Sequence, residues 1–157
     1  MSEIGDRIQE KCMLFADRVI KLNDYLLQRA SEVKIDNKEK PFTSYFKQQK
    51  SKVPVYLMSV ATLSNQLLRA GTSIGANNAE ATSAISRADY KSKSYIALKE
   101  ARECLYWILL LHRNKYLNDT EFQSLYNDCE ELVKILTHRC KKLSETQTKK
   151  NPNPTTT

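Results

Sequence analysis

The chain carries two histidines, His112 and His138, and four cysteines, Cys12, Cys104, Cys129 and Cys140. Metal or nucleophilic chemistry would have to be built from these and from carboxylates. A di-iron centre in a helical bundle needs Glu-x-x-His on two helices plus two further inward carboxylates. The residues three before the histidines are Leu109 and Ile135, which excludes that arrangement. The cysteines form no CxxC pair and no zinc-ligand spacing. Each falls on the apolar face of an expected helix, where a free thiol packs as a small hydrophobe. No base and orienter stand ready to activate a nucleophile, and there is no P-loop or dinucleotide-binding glycine pattern. Glu80, Glu100 and Glu103 are the acids in the middle of the chain, and Glu80 is expected to answer an arginine or a backbone amide rather than move protons. The reading is a non-enzyme with no catalytic residue, no metal and no cofactor.

The chemistry that remains is that of packing and of charge. Within residues 67–111, Gly71, Gly75 and Ala79 recur every four positions, which lines them up along a helix. Such a line lets a neighbouring backbone approach closely. Asn77, Asn78 and Glu80 lie beside it and need partners if covered. Together with Trp107 these residues are expected to serve packing and assembly.

The formal charge is +7, which suits an acidic partner such as RNA, DNA or an acidic protein face. At about 100° per residue, Arg7, Lys11, Arg18, Lys21 and Arg29 gather on one flank of the first helix, with Asp6, Glu10, Asp17 and Asp24 further round. Arg87, Lys91, Lys99 and Arg102 add basic surface on the third. In the connection 35–53, Phe42, Tyr45 and Phe46 interleave with Lys40, Lys47, Lys50 and Lys52. Mixed this way, such residues can stack bases and hold phosphates. Two plainer alternatives stand beside these: the long cations cover the seam edge with their methylenes, and the aromatics pin the loop to the bundle.

Four amphipathic helices are expected to carry these residues, over about 2–34, 54–84, 87–116 and 119–145. The whole forms one bundle domain over 1–145, with a disordered polar tail at 146–157. Only three glycines and four prolines leave few turn signals, as suits few, long elements. Ile4, Ile8, Cys12, Phe15, Val19, Leu22 and Leu26 keep the alternating three-and-four spacing of a bundle seam. Ser86 with Asp89, and Asn118 with Glu121, mark the starts of the third and fourth helices. The YWILLL run at 106–111 is apolar nearly all round, so its end of the bundle should be covered by more than its own helices. No apolar run nears the roughly 20 residues that span a bilayer, and the polar N-terminus lacks a signal-peptide core. A cytoplasmic protein that engages no membrane is expected.

The run Arg69-Ala70-Gly71-Thr72-Ser73-Ile74-Gly75-Ala76-Asn77, then Ala79-Glu80-Ala81, resembles the signature of the four helix bundle protein family, the 23S rRNA intervening-sequence proteins. The segment 95–103, followed by Tyr106-Trp107, is similar to that family too. The resemblance implies an all-α, up-down antiparallel four-helix bundle that assembles as a ring-shaped homopentamer. It also implies distant kinship with the accessory variability determinant of diversity-generating retroelements, whose partners are a reverse transcriptase and its template RNA. Asn78 departs from the aliphatic residue that many relatives carry there, and the 35–53 connection is longer than usual. The expected function is a homo-oligomer that binds nucleic acid or a nucleoprotein through basic surface. The alternative is a structural or protein-interaction module whose cations pair with Asp and Glu across interfaces.

Overall fold

The structure is a computed structural model that describes residues 3–32 and 55–148. The described residues form four helices and no strand: α1 (Glu3–Glu32), α2 (Val55–Thr82), α3 (Arg87–Arg113) and α4 (Asp119–Thr148). The 35–53 connection, with Lys47 and Lys50, lies outside them. Contacts between helices run in opposite directions along the chain at every seam. Gly71 faces Val19 while Gly75 faces Cys12; Arg69 reaches Glu103 while Glu80 reaches Lys93; Cys129 reaches Ala101 while Ser144 reaches Tyr95. The chain is therefore an up-down antiparallel four-helix bundle.

The seam residues are the buried ones. Cys12, Phe15, Val19, Leu67, Ile74, Cys104, Ile108, Leu132 and Leu136 are 0–2% exposed. All four cysteines are buried and unpaired. Burial pushes the Cys12 thiol up to about 11 against the opposing Arg139 guanidinium. A hydrogen bond with Cys129, then burial, raises the Cys104 thiol as well. Thiols held protonated this way are poor nucleophiles.

Both start signals are realised. Asp89 N donates to Ser86 Oγ at 3.1 Å, although the Asp89 carboxylate takes the amide of Ile85 rather than that of Ser86. Asn118 and Glu121 form a full reciprocal capping box, at 2.8 and 2.9 Å. α3 ends earlier than the apolar pattern suggests. Lys115 adopts a left-handed φ of 63°, its amide donates to His112 O, and that of Tyr116 donates to Leu111 O. This is a Schellman stop built without glycine. The His112 ring, stacked on Phe122 at 4.1 Å and bonded to Asp119 at 2.7 Å, locks the turn. α4 runs three residues past the expected boundary at 145, since Thr146, Gln147 and Thr148 include no helix breaker and the first proline comes only at Pro152.

The small-residue line holds at two of its three positions. Gly71 and Gly75 are buried against α1, and a Cβ on Gly71 would sit 3.1 Å from Val19 Cγ2. Ala79 is exposed, and so is Glu80, whose partner is the Lys93 ammonium at the surface. The reason is helical drift. An eight-residue step from Gly71 overshoots by about 80°, whereas the seven-residue step to Asn78 falls short by only about 20°. Asn78 takes the inner place instead, with no exposed surface. Glu80 thus makes a surface ion pair, which water and salt screen.

The helix contact at Gly75 is testable. A Cβ there would lie 3.4 Å from Cys12 Cβ, which an alanine fits. Gly75→Ala should raise stability by up to about 1 kcal/mol through helix propensity. Gly75→Leu should lower it by about 1–3 kcal/mol through overpacking. Urea unfolding of both variants checks the pair, and equal stability for the two would place Gly75 in open space.

Candidate nucleic-acid interface

α1 leans on α2, α2 on α3 and α3 on α4, and the α1–α4 seam is the loosest of the four. Long polar side chains span it. Lys11 Nζ meets Glu131 Oε1 at 2.9 Å. Arg18 pairs with Asp128 and donates to Ser124 Oγ at 2.8 Å. Arg29 donates to the Lys115 carbonyl at 3.4 Å. The expected basic flank of α1 is therefore divided. Lys11 and Arg18 face carboxylates of α4, Arg29 ties the loop before α4, and Arg7 and Lys21 are exposed. Their sequence spacing was read correctly, but the acids opposite them belong to a helix over 100 residues away.

The deepest tie in this seam is made by Asn78. Its Nδ2 donates to Gln9 Oε1 at 2.6 Å, and its Oδ1 accepts from Arg139 Nη1 at 2.7 Å. One amide on α2 thus joins α1 to α4. Asn77 turns back instead to the Ser73 carbonyl at 2.9 Å. Among the described residues no carboxylate pairs with Arg139. The guanidinium is held by a neutral amide, with the Tyr90 ring 6.0 Å away.

Beside this tie a cavity of about 510 Å³ opens between α1 and α4. Gly5, Ile8, Ile135 and Tyr90 supply apolar wall; Lys134, His138, Arg139 and Lys142 supply the polar part, and no carboxylate is among the described lining residues, although Glu130 pairs with Lys134 at 2.7 Å. Of the cations expected on α3, Arg102 and Lys91 join Arg139 in opposing the burial that raises the Cys140 thiol. Arg87, Lys99 and Arg102 are exposed, and the Lys91 ammonium lies 6.0 Å from the Tyr95 ring. Arg139, Tyr90, Lys134, Lys142 and Gln9 were not among the expected site residues, and His138 entered only as an excluded metal ligand. The available signal was an arginine at the edge of the α4 seam facing a buried asparagine in need of partners.

On the opposite side, Trp107 is half-buried and its Nε1 donates to Glu103 at 3.0 Å. Glu103 also meets Arg69 at 3.3 Å. Neighbouring Glu100 has one oxygen shielded from water without a partner. Burial, then the Glu103 charge, raises its carboxyl above the ordinary range, while Arg69 pulls it down. Among the described residues no three metal-ligating side chains converge, and no helix is long and apolar enough to cross a membrane.

The comparisons fit this architecture. The family model described as 23S rRNA-intervening sequence protein matches residues 46–138. The chain belongs to that family. A solved structure from Bacteroides thetaiotaomicron, described as a protein of unknown function from the S23 ribosomal protein family, is 34% identical. The similarity covers 87% of this chain and 97% of that one, with a TM-score of 0.67. No curated protein matches the chain. The family and the neighbour speak for the bundle and leave its partner open.

Two outcomes follow from the site. Asn78→Leu strands Arg139 and Gln9 and should cost about 1–3 kcal/mol. Adding Arg139→Met should recover part of that loss, because removing both partners spares the desolvation penalty; additive losses in a double-mutant cycle would contradict the tie. For Glu100 the folded state disfavours the charged form, so its stability contribution is lost as pH rises through the raised value. Glu100→Gln should therefore stabilise at neutral pH and have little effect below about pH 4, where both side chains are neutral. Melting curves at the two pH values check this.

Proposed function

We propose that the protein is a non-enzymatic homo-oligomer, a pentameric ring on the family resemblance, that binds nucleic acid or a nucleoprotein such as a reverse transcriptase–RNA complex. The contact would be the basic surface of α3 and α4. The observation that carries this reading is Arg139, a partly buried cation with no acidic partner among the described residues, in a hollow also lined by His138, Lys142 and the Glu130-paired Lys134. Low-dielectric walls concentrate such a field toward an anion. Self-association is supported by the apolar side chains that single-chain packing leaves exposed. Met13 and Leu14 on α1 are 55% and 59% exposed, and Tyr106 and Leu109 on α3 are open as well. Faces of this kind mark association surfaces when contiguous.

Lys11 and Arg18 are already paired with α4 carboxylates, so the α1 flank has less charge to offer phosphates.

Binding of a labelled single-stranded RNA, measured against salt, tests the proposal alongside the solution mass. Affinity should fall steeply with salt. Arg87→Gln and Arg102→Gln should each weaken binding and reduce the logarithmic salt slope by about 0.7. Lys11→Gln should leave both unchanged. A folded oligomer that binds neither RNA nor DNA at low salt would overturn the nucleic-acid reading in favour of the alternative, and a monomer would overturn the assembly.

A further inference from the structure

The cavity between α1 and α4 has a composition that a plain phosphate-backbone contact does not need. A backbone contact asks only for exposed cations. Here Ile8, Ile135 and the Tyr90 ring form one part of a concave wall, and Arg139 and Lys142 form another. At about 510 Å³ it lies within the roughly 300–1,000 Å³ range of pockets that enclose small ligands. Apolar walls with a few convergent polar groups are also the usual lining of such pockets.

The polar side is pre-set. Asn78 holds one guanidinium nitrogen of Arg139, and Gln9 in turn holds Asn78. A guanidinium carries five N–H donors in a planar fork, so most of them remain for a ligand. Planar forks match phosphate oxygens in paired hydrogen bonds. Lys142 adds an ammonium group at the rim, suited to a second negative charge, while the Lys134 ammonium is held by Glu130 at 2.7 Å. The apolar side is aromatic where Tyr90 stands, which favours a flat ring over an alkyl chain.

We propose that this cavity binds a nucleoside monophosphate, its phosphate on Arg139 and Lys142 and its base against Tyr90, Ile8 and Ile135. The same chemistry is offered by a free nucleotide and by the 5′-phosphorylated end of a strand. The inference deepens the nucleic-acid reading by naming what the hollow in that surface recognises.

Calorimetric titration of the full chain with adenosine 5′-monophosphate, adenosine and inorganic phosphate tests it. The monophosphate should bind saturably, and each of the other two should bind at least roughly tenfold more weakly, as expected when one charged hydrogen-bonding group or the ring is missing. Lys142→Gln at the rim should weaken the monophosphate roughly tenfold, and Tyr90→Leu should weaken the monophosphate without affecting phosphate. Both variants should melt close to the parent. Arg139 is left unchanged because its loss also breaks the Asn78 tie.

Monophosphate binding no tighter than phosphate, or unaltered by Lys142→Gln, overturns the inference. An RNA oligomer with a 5′-phosphate that outcompetes its 5′-hydroxyl counterpart against the monophosphate identifies the strand end as the source; equal competition by the two identifies the free nucleotide. RNA binding retained without monophosphate binding defeats the cavity inference alone. Monophosphate binding without RNA binding defeats the interface reading alone.

Discussion

The close approach of α1 to α2 at Gly71 and Gly75 is the constraint on which the rest of the molecule depends. A side chain at Gly71 would press on the Val19 side chain, and one at Gly75 would meet Cys12, so α1 packs closely on α2 there. That approach fixes where α1 lies, and with it which residues of α1 come beside Asn78. It also draws α1 toward α2 and leaves its contact with α4 to long polar side chains. A seam joined in this way stays partly open, and the hollow beside Arg139 is the result.

The ties across that seam differ in worth. The Lys11–Glu131 and Arg18–Asp128 pairs are substantially exposed, and exposed pairs contribute about 0–1 kcal/mol each. The Asn78 bonds are made by an amide with no exposed surface, and hydrogen bonds to charged groups contribute about 1.5–3 kcal/mol. Most of the polar holding power therefore sits where α1, α2 and α4 meet. The same amide that joins the helices is neutral, and no carboxylate among the described residues pairs with Arg139. Structure and binding potential come from one arrangement.

Much of the fold could be read from local patterns, because seam spacing, capping boxes and cysteine placement depend on near neighbours in sequence. Ser86, Asn118 and the buried cysteines stand where those patterns put them. Ala79 and Glu80 do not, because spacing of four was extended past the point where helical drift turns it outward. The α1 flank was correct as geometry and incomplete as chemistry. Nothing local to Lys11 or Arg18 reveals that Glu131 and Asp128 stand opposite. Arg139 was out of reach for the same reason: its meaning comes from Asn78, 61 residues earlier, and from a seam whose openness is a property of the packed bundle. Family likeness strengthened the fold far more than the function, since helix packing constrains many positions at once and a binding surface only a few.

The most direct measurement is the NMR signal of the Arg139 guanidinium in the unliganded protein. Held by Asn78 and facing the hollow, it should give resolved Nη resonances with slowed rotation and a cross-peak to the Asn78 side-chain amide. A single sharp averaged signal, like that of a fully solvated arginine, would contradict a pre-set cation in an open seam.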